Sequence, residues 1–533
     1  MNDVSPNNLD RKHETLPHSW AWATPVEIGE AALGKMLDRA KHAEGRALPY
    51  VRNLNVRWGT FDLSDLLTMR FRDDELARYE LRRGDLLICE GREPGRCAVW
   101  NQEDANIKYQ KAIHRLRLFD GVDPYYIMYQ IMHDACRGRL VQFFTGSTIK
   151  HFTGESLRKL QLRIAPSNEQ ERIVAKIDEL FSELDAGVAS LKRARALLKK
   201  YRQAVLTAAV TGELTRDWRE RHKGEIRESG AELLQRILKA RRAAWEAAEL
   251  KKLRAKGKRP NDDRWKQKYK EPPPPDTTGL SALPEGWVWA TVDQLCVKVA
   301  NGLSKKPKSG PPGPPILRIS AVRPMSVDVN DIRYYPIDTG EDLDDYIVDR
   351  GDLLFTRYNG SFELVGVCGA MTAEKAILHP DKLIRAKLAS QEMTDAELLA
   401  AFLSTGTSRA FIEEHIKTTA GQHGIAGSDI KTAPIPVPPV SEQQAIISLI
   451  AEAWTSSDQT DLSIETELLR AGRIRQSILK AAFTGRLVPQ DPNDEPASVL
   501  LERIRAERAA KPKSARGRRR KGGKNARQLE LLE

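Results

Sequence analysis

Two long stretches of the chain place apolar residues at the period of an α-helix. In the first stretch, the apolar positions follow one another at spacings of three, four or seven, which is the pattern of a coiled-coil seam; they are Ile173, Ile177, Leu180, Leu184, Leu191 and Leu198. The second stretch keeps a seam at Ile446, Ile450, Ile464, Ile474 and Ile478, although Ser457 and Asp461 interrupt it. A helix of this length cannot bury its stripe alone. The pattern therefore predicts two long helices packed antiparallel against each other.

Each predicted helix has a defined start. The pairs Asn168 with Glu171 and Ser441 with Gln444 follow shortly after Pro166 and Pro439. A polar residue followed three positions later by Glu or Gln is the signature of a capped helix N-terminus.

The stretches outside the helices alternate short apolar runs such as "GDLLICE" and "GDLLFTR" with turns rich in glycine, asparagine and proline. This mixture predicts globular α/β (α+β) domains with long loops. We expect a first head at residues 1–165, a first helical region with a basic and proline-rich linker at 166–275, and a second head at 276–438. A second helical region at 439–510 and a basic tail at 511–533, expected to be disordered, complete the order.

The two halves repeat each other. "LPHSWAWATP" from Leu16 returns as "LPEGWVWATV" from Leu283, and "RRGDLLICEG" from Arg82 returns as "DRGDLLFTRY" from Asp349, both at an offset of 267. "PSNEQERIVAKIDELF" from Pro166 returns as "PVSEQQAIISLIAEAW" from Pro439. Such self-similarity predicts a duplicated fold with an internal two-fold repeat. Trp20, Trp22, Trp287 and Trp289 repeat with it, so we expect them to pack in the core.

The loops between the repeated segments differ. "RWGTFDLSDLLTMRFRDDE" stands in the first head where "RPMSVDVNDIRYYPIDTGE" stands in the second. A duplicated scaffold with divergent loops suits the recognition of two different short DNA sequences, whereas identical heads would suit a palindrome.

The elements "GDLLFTRYNGSFELVG", "GQHGIAGSDIKTAPIPVPPVSEQQAI" and "IRQSILKAAFTGRLV", with their earlier counterparts, resemble the specificity subunit of type I restriction-modification systems. The resemblance covers nearly the whole chain apart from two basic runs. It implies a non-catalytic subunit whose two target recognition domains each read half of a bipartite, asymmetric site in double-stranded DNA. It also implies that the helical regions set the gap and dock two methyltransferase subunits. S-adenosylmethionine, ATP and Mg are then expected on the methyltransferase and restriction subunits, and no cofactor on this chain.

Candidate DNA contacts lie in the turns of both heads, where Arg, Gln and Asn can read base edges and Lys can bind phosphate. In the first head they are Arg92, Arg96, Gln110, Lys111, His114, Arg115 and Lys150. In the second head they are Lys305, Lys306, Lys308, Arg357, Tyr358, Asn359, Gln422 and His423.

Charge agrees with a polyanionic partner without proving one. The formal net charge is +12, and the stretch from Lys511 to Lys524 holds eight basic and no acidic residues, so the remainder carries 12 − 8 = +4. A second run, from Lys251 to Lys270, has ten basic and two acidic residues. Both runs are also typical of solvated segments that touch nucleic acid only loosely.

Other functions find less support. The chain has no phosphate-binding G-x-x-x-x-G-K-[ST] loop, no H-E-x-x-H motif and no histidine spacing typical of a metal site, which speaks against a fused nuclease or methyltransferase. An adaptor whose helices bridge two proteins without reading DNA remains the other alternative. The five scattered cysteines predict neither disulfides nor a metal site, and the absence of a long apolar run predicts a cytoplasmic protein.

Overall fold

The computed structural model describes residues 15–37, 44–103, 106–257, 260, 262–338, 340–419 and 421–510. The predicted basic tail at 511–533 lies outside these residues. Backbone contacts divide the chain into two compact units. Unit 1 is Met1–Leu191 with Thr466–Glu533, and unit 2 is Lys192–Glu465.

The first half of the chain alternates short strands and helices before its long helix. The elements are β1 (Ala21–Ala23), α1 (Pro25–Ile28), β2 (Gly29–Leu33), β3 (Arg46–Val51), β4 (Leu67–Phe71), α2 (Asp73–Leu76), β5 (Leu86–Cys89), β6 (Cys97–Val99), β7 (Lys108–Tyr109), β8 (Ile113–Leu118), α3 (Pro124–Cys136), α4 (Gly154–Lys159), β9 (Leu162–Ile164), α5 (Ser167–Val210), α6 (Arg216–Arg221) and α7 (Gly230–Ala255).

The second half repeats this order with more strands. Its elements are β10 (Val288–Thr291), α8 (Val292–Leu295), β11 (Cys296–Asn301), β12 (Pro315–Leu317), β13 (Val322–Arg323), β14 (Met325–Val327), β15 (Ile332–Tyr334), β16 (Ile347–Val348), β17 (Leu353–Thr356), β18 (Tyr358–Asn359), β19 (Cys368–Ala370), β20 (Ile377–Leu378), β21 (Leu383–Leu388), α9 (Ala396–Leu403), α10 (Gly406–Glu414), β22 (Lys417–Thr419), β23 (Gln422–Gly424), α11 (Gly427–Thr432), β24 (Pro434–Val437), α12 (Val440–Ala482) and α13 (Ala497–Ala510). The mixed α/β class with long helices is thus confirmed.

Both heads contain the same antiparallel core sheet. Unit 1 orders its strands β2-β8-β5-β6, and unit 2 contains the order β11-β21-β17-β19 within a six-stranded sheet that β14 and β13 extend. Each unit has a second sheet, β4-β3-β7 in unit 1 and β15-β12-β20-β16 in unit 2. Unit 2 adds a three-stranded sheet, β18-β23-β22. Its core sheet therefore carries strands that the core sheet of unit 1 lacks.

The repeated "RGDLL" segment is a turn that fixes the entry to the buried central strand. Gly84 and Gly351 lie at φ +91° and +84°, the left-handed region that favours glycine. The next residue, Asp85, accepts a hydrogen bond from the Arg82 amide at 2.7 Å and binds Arg117 of β8 at 2.7 Å. In unit 2, Asp352 binds Arg385 of β21 at 2.8 Å in the same way. The repeated segment therefore has the same structural role in both units, which is to position the central strand.

The long helices pack antiparallel within unit 2. Arg195 of α5 pairs with Asp461 of α12 at 2.8 Å, and Arg202 donates a hydrogen bond from Nε to Ser457 Oγ at 2.7 Å. Residue numbers increase along α5 where they decrease along the facing part of α12, so the two helices run antiparallel. The polar residues that interrupt the apolar pattern of α12 lie opposite arginines of α5.

The predicted seam positions differ in burial. Ile173, Ile177, Ile446, Ile450 and Ile464 are buried, whereas Leu180, Leu184, Leu191, Leu198 and Ile478 are half-buried. Ile474 is exposed. Ala471 and Arg475 lie instead on the helix face to which the sequence pattern had assigned Ile474. The Arg475 guanidinium lies 4.3 Å from the ring centroid of Phe181 in unit 1. The placement of Ile474 in the seam is therefore wrong by one position.

A further helix, located after each long helix in the sequence, packs on a head. Leu233, Leu234 and Ile237 of α7 are buried in unit 2, and Leu500, Leu501 and Ile504 of α13 are buried in unit 1. Arg241 donates to the Asp293 carbonyl at 3.0 Å, and Arg508 donates to the Val26 carbonyl at 2.7 Å. The residues of these two contacts are again separated by 267 positions, a match that the sequence comparison missed.

A buried carboxylate joins each head to the start of a long helix. Trp20 donates from Nε1 to Glu169 at 3.0 Å in unit 1, and Trp287 donates to Glu442 at 2.8 Å in unit 2. The core positions predicted for Trp20 and Trp287 are confirmed. Trp22, by contrast, is 42% exposed, and the Arg163 guanidinium lies 5.4 Å from its ring centroid. Trp289 is half-buried.

Candidate nucleic-acid interface

In head 1, the residues after the buried strand β5 are held between two neighbouring segments. The Glu90 amide donates to the Ala112 carbonyl at 2.9 Å, and the Phe152 amide donates to the Glu90 carbonyl at 2.6 Å. Beside them, Thr145 and His151 exchange backbone hydrogen bonds of 2.9 and 2.8 Å. The turn Glu90-Gly91-Arg92 thus lies against the loop that ends at His151.

Head 2 holds the residues after β17 in the same way. The Arg357 amide donates to the Lys382 carbonyl at 2.8 Å, and the Ile425 amide donates to the Arg357 carbonyl at 3.0 Å. Tyr358 and Asn359 then pair with Gly424 and His423 of β23. The two heads therefore share one backbone frame, in which Glu90, Gly91 and Arg92 correspond to Arg357, Tyr358 and Asn359.

A shallow cavity of about 420 Å³ opens at this frame in head 1. Three of the predicted contacts, Arg92, Gln110 and Lys111, line it together with Glu90 and His151. Arg92 lies at φ +64°, which a non-glycine residue adopts only at an energetic cost. Its side chain is exposed. The cavity thus combines a cation, an amide and a guanidinium that can contact bases or phosphates.

Three other predicted residues of head 1 are buried. The Arg96 guanidinium donates to the Asn53 carbonyl at 2.7 Å and also pairs with Glu93. His114 Nε2 lies 2.9 Å from the Phe152 carbonyl oxygen, and burial lowers the pKa of its imidazole. Arg115 donates to the Glu80 carbonyl at 2.7 Å. All three side chains are buried and bind backbone carbonyls inside the head, so they are not part of the proposed interface.

Lys150, the last predicted contact of head 1, is exposed in the loop from Thr145 to His151. This loop also carries Ile149, which lines the cavity with Leu37. Sequence reasoning missed these apolar residues, as well as His151. The offset of 273 that aligns the long helices also aligns Phe152 with Ile425, so it could have located this loop.

Five predicted residues of head 2 come together in the sheet β18-β23-β22. The Arg357 guanidinium lies 4.7 Å from the ring centroid of Tyr358, and Asn359 accepts a hydrogen bond from the Ser361 amide at 3.0 Å. His423 Nδ1 lies 2.8 Å from Thr418 Oγ1. Gln422 is exposed at the end of the hairpin.

The three predicted lysines of head 2 lie elsewhere in that head. Lys305 pairs with Asp338 and with Glu341, the latter at 2.9 Å. These two carboxylates raise the pKa of Lys305, and hydrogen bonds from Tyr335 and Lys305 lower the pKa of Glu341 to about 2. Lys306 and Lys308 are exposed, and the Lys308 backbone pairs with Tyr334. Lys305 is therefore already bound to two carboxylates, unlike an isolated phosphate contact.

Among the described residues, no three or more His, Cys, Asp or Glu side chains cluster in a way that could hold a metal ion. In the same part of the chain, no helix has the length and apolar character needed to cross a membrane.

The fold is that of a mixed α/β protein with long helices, and both heads contain the same backbone frame after the buried central strand. No family model matches the chain. It is 29% identical over 514 residues to the type I restriction enzyme EcoKI specificity subunit of Escherichia coli (strain K12), and the aligned region covers 93% of this chain and 97% of the relative. It is 24% identical over 512 residues to the StySPI specificity subunit of Salmonella potsdam, covering 93% of this chain and 96% of the relative.

A solved chain from a study of complex assembly in the type I R-M system has the same fold. It superposes with a TM-score of 0.58 at 16% identity and covers 89% of this chain and 100% of its own length. The curated relatives confirm the resemblance inferred from the sequence. Over nearly its whole length, the chain is similar to specificity subunits of type I restriction enzymes.

Proposed function

We propose that this chain is the non-catalytic subunit that reads a bipartite, asymmetric site in double-stranded DNA. Head 1 reads one half of the site through Arg92, Gln110, Lys111 and Lys150, and head 2 reads the other half. The helices α5 and α12 set the number of base pairs between the halves. The duplication, with its internal two-fold repeat, supplies one reading surface for each half.

One observation carries this proposal. The backbone frame at the end of the buried strand is held by equivalent hydrogen bonds in both heads, while its side chains differ completely: Glu90 and Arg92 stand where head 2 has Arg357 and Asn359. Arg and Asn pair with guanine and adenine edges in the major groove, respectively. A constant frame with different readers suits two unlike half-sites.

The long helices offer surface for the partner subunits. Within unit 2, Leu197, Tyr201 and Leu462 are exposed, and within unit 1 Leu469 and Ile474 are exposed. Apolar side chains left in solvent on otherwise polar helices are typical of protein interfaces. We propose that these positions help to dock two methyltransferase subunits, with restriction subunits completing the assembly.

The chemistry is assigned to those partners. The methyltransferase subunits bind S-adenosylmethionine and methylate adenine, and the restriction subunits use ATP and Mg. This chain supplies the position on DNA at which the reactions take place.

The test is a map of N6-methyladenine. The chain is coexpressed with its neighbouring methyltransferase subunit, and the host genome is read by single-molecule sequencing. We expect one asymmetric, bipartite motif with a fixed gap, of which only one half changes when one head is exchanged. A stable complex that gives no motif would contradict the proposal and favour the adaptor alternative.

A further inference from the structure

Two apolar side chains lie in solvent at the rim of the head 1 cavity. Ile149 is 62% exposed and Leu37 is 50% exposed, and both line the cavity together with Arg92 and Gln110. Apolar surface surrounded by polar, base-reading groups is typical of a contact that forms only in a complex. These residues therefore belong to the reading surface.

The loop around Ile149 is built to hold that side chain out. Thr145 and His151 exchange two backbone hydrogen bonds, and Gly146 lies at φ +94° with the Ile149 carbonyl so close that a Cβ would lie 2.2 Å from its oxygen. Under the loop, Phe144 and Phe152 pack edge to face, with ring centroids 6.0 Å apart. The loop thus has a fixed conformation that does not fold Ile149 inward.

The chemistry of the cavity points to one kind of base contact. The Gln110 amide can pair with adenine in the major groove, where the thymine of an A·T pair presents its 5-methyl group, an apolar feature on the base edge. We propose that Ile149, with Leu37 beside it, contacts the 5-methyl group of a thymine in the half-site read by head 1. This inference rests on the proposed function and deepens it, because it names a determinant of specificity.

The contact has a measurable size. Burial of one methyl group changes affinity by about fourfold. Replacement of the contacted thymine by deoxyuridine removes only that methyl and leaves base pairing intact. We therefore expect about fourfold weaker binding for deoxyuridine at one position of the half-site, and little change at the others.

The experiment uses the complex of the full chain with its methyltransferase subunit. Fluorescence anisotropy measures binding to duplexes in which each thymine of the head 1 half-site is replaced in turn by deoxyuridine. Ile149→Ala is expected to bind the thymine duplex more weakly and to lose the discrimination. Val141→Ala is the matched control, because Val141 is also 62% exposed in head 1 but does not line the cavity; it should discriminate like the unmodified chain.

The outcomes separate the two proposals. Equal binding of thymine and deoxyuridine at every position, a half-site without thymine, or discrimination that survives Ile149→Ala would each overturn the inference while leaving motif recognition intact. Equal binding of the motif and a scrambled duplex would instead refute the proposed function.

Discussion

The buried carboxylates Glu442 and Glu169 occupy equivalent positions in units 2 and 1. We expect their replacement by the uncharged Gln to lower the free energy of unfolding by different amounts. Glu442 is fully buried and accepts hydrogen bonds from Trp287, from Thr215 at 2.7 Å and from two nitrogens of Arg219 at 2.8 and 3.0 Å. Replacing Glu442 by Gln leaves the Arg219 guanidinium without its counter-ion. Removal of one partner of a buried ion pair costs about 3–5 kcal/mol.

We expect Glu442→Gln to lower the free energy of unfolding by about 3 kcal/mol, the lower end of this range, because the Arg219 side chain is still 17% exposed and can recover some hydration. Glu169 is the matched control. Its nearest partners, Trp20 and Gln490, are uncharged donors at 3.0 Å, and burial raises the pKa of its carboxyl. A carboxamide can keep one of these hydrogen bonds, so Glu169→Gln should cost less than about 1 kcal/mol.

Hydrogen exchange of backbone amides measures both effects, because β10 and β24 report on unit 2 and β1 and β9 report on unit 1. The double variant Arg219→Gln/Glu442→Gln should recover part of the loss, since it leaves no unpaired charge. A loss for Glu169→Gln equal to that for Glu442→Gln, or no recovery in the double variant, would refute the argument from the buried charge.

Three further predictions concern recognition, the helices and pH. Arg357→Ala or Asn359→Ala should weaken DNA binding by about 5- to 150-fold and relax one position of the head 2 half-site in the methylation map, and a change in the other half would contradict this. Ile177→Ala should lower the free energy of unfolding in urea by about 2–5 kcal/mol, because Ile177 is buried, while exposed Ile474→Ala should cost under about 1 kcal/mol; equal losses would be inconsistent with the observed seam. Burial lowers the pKa of His379 to about 4, below its unfolded value of 6.5, so its stabilising contribution is complete above pH 6.5 and is lost as the pH falls toward 4. When the pH falls from 7.5 to 4, the free energy of unfolding of His379→Asn should therefore rise by about 3 kcal/mol relative to that of the unmodified chain. Urea unfolding at each pH measures this difference, and a difference that does not depend on pH would exclude this origin.

The sequence predicted the features that depend on local pattern. Helix period and capping pairs located both long helices within a few residues, and the repeated Gly-Asp turn marked the central strand of each head. Ile474 was misplaced because spacings of three and four can each continue a stripe, and the drift between helical and heptad periods is not visible without the facing helix. Arg475 stands on the buried face because it can pack on Phe181 and pair with Asp185, which no periodicity reveals.

The site residues were harder to predict because the exposure of a side chain depends on what packs against each face of the sheet. His114 and Arg115 stand in a polar-looking segment, "YQKAIHRLR", yet that segment is a central strand with neighbours on both sides. Their polar groups bind backbone carbonyls inside the head. Arg92, Gln110 and Lys111 follow or precede strands, where the chain leaves the sheet, and they line the cavity of head 1; their contact with DNA stays a prediction.

Comparison of the two heads distinguishes residues that hold the fold from residues that differ at the proposed reading surface, a distinction that one head alone would not allow. Pairs that occur in both copies, such as Asp85 with Arg117 and Asp352 with Arg385, hold the central strand in place and depend on nothing outside the head. The positions after that strand keep their backbone partners but exchange Glu90 for Arg357, which reverses a charge at the same point of the frame. Because the frame is held by backbone hydrogen bonds, such an exchange need not disturb the fold. Substitutions in the first class should therefore lower the stability of the head that carries them, and substitutions in the second should change the sequence that is read.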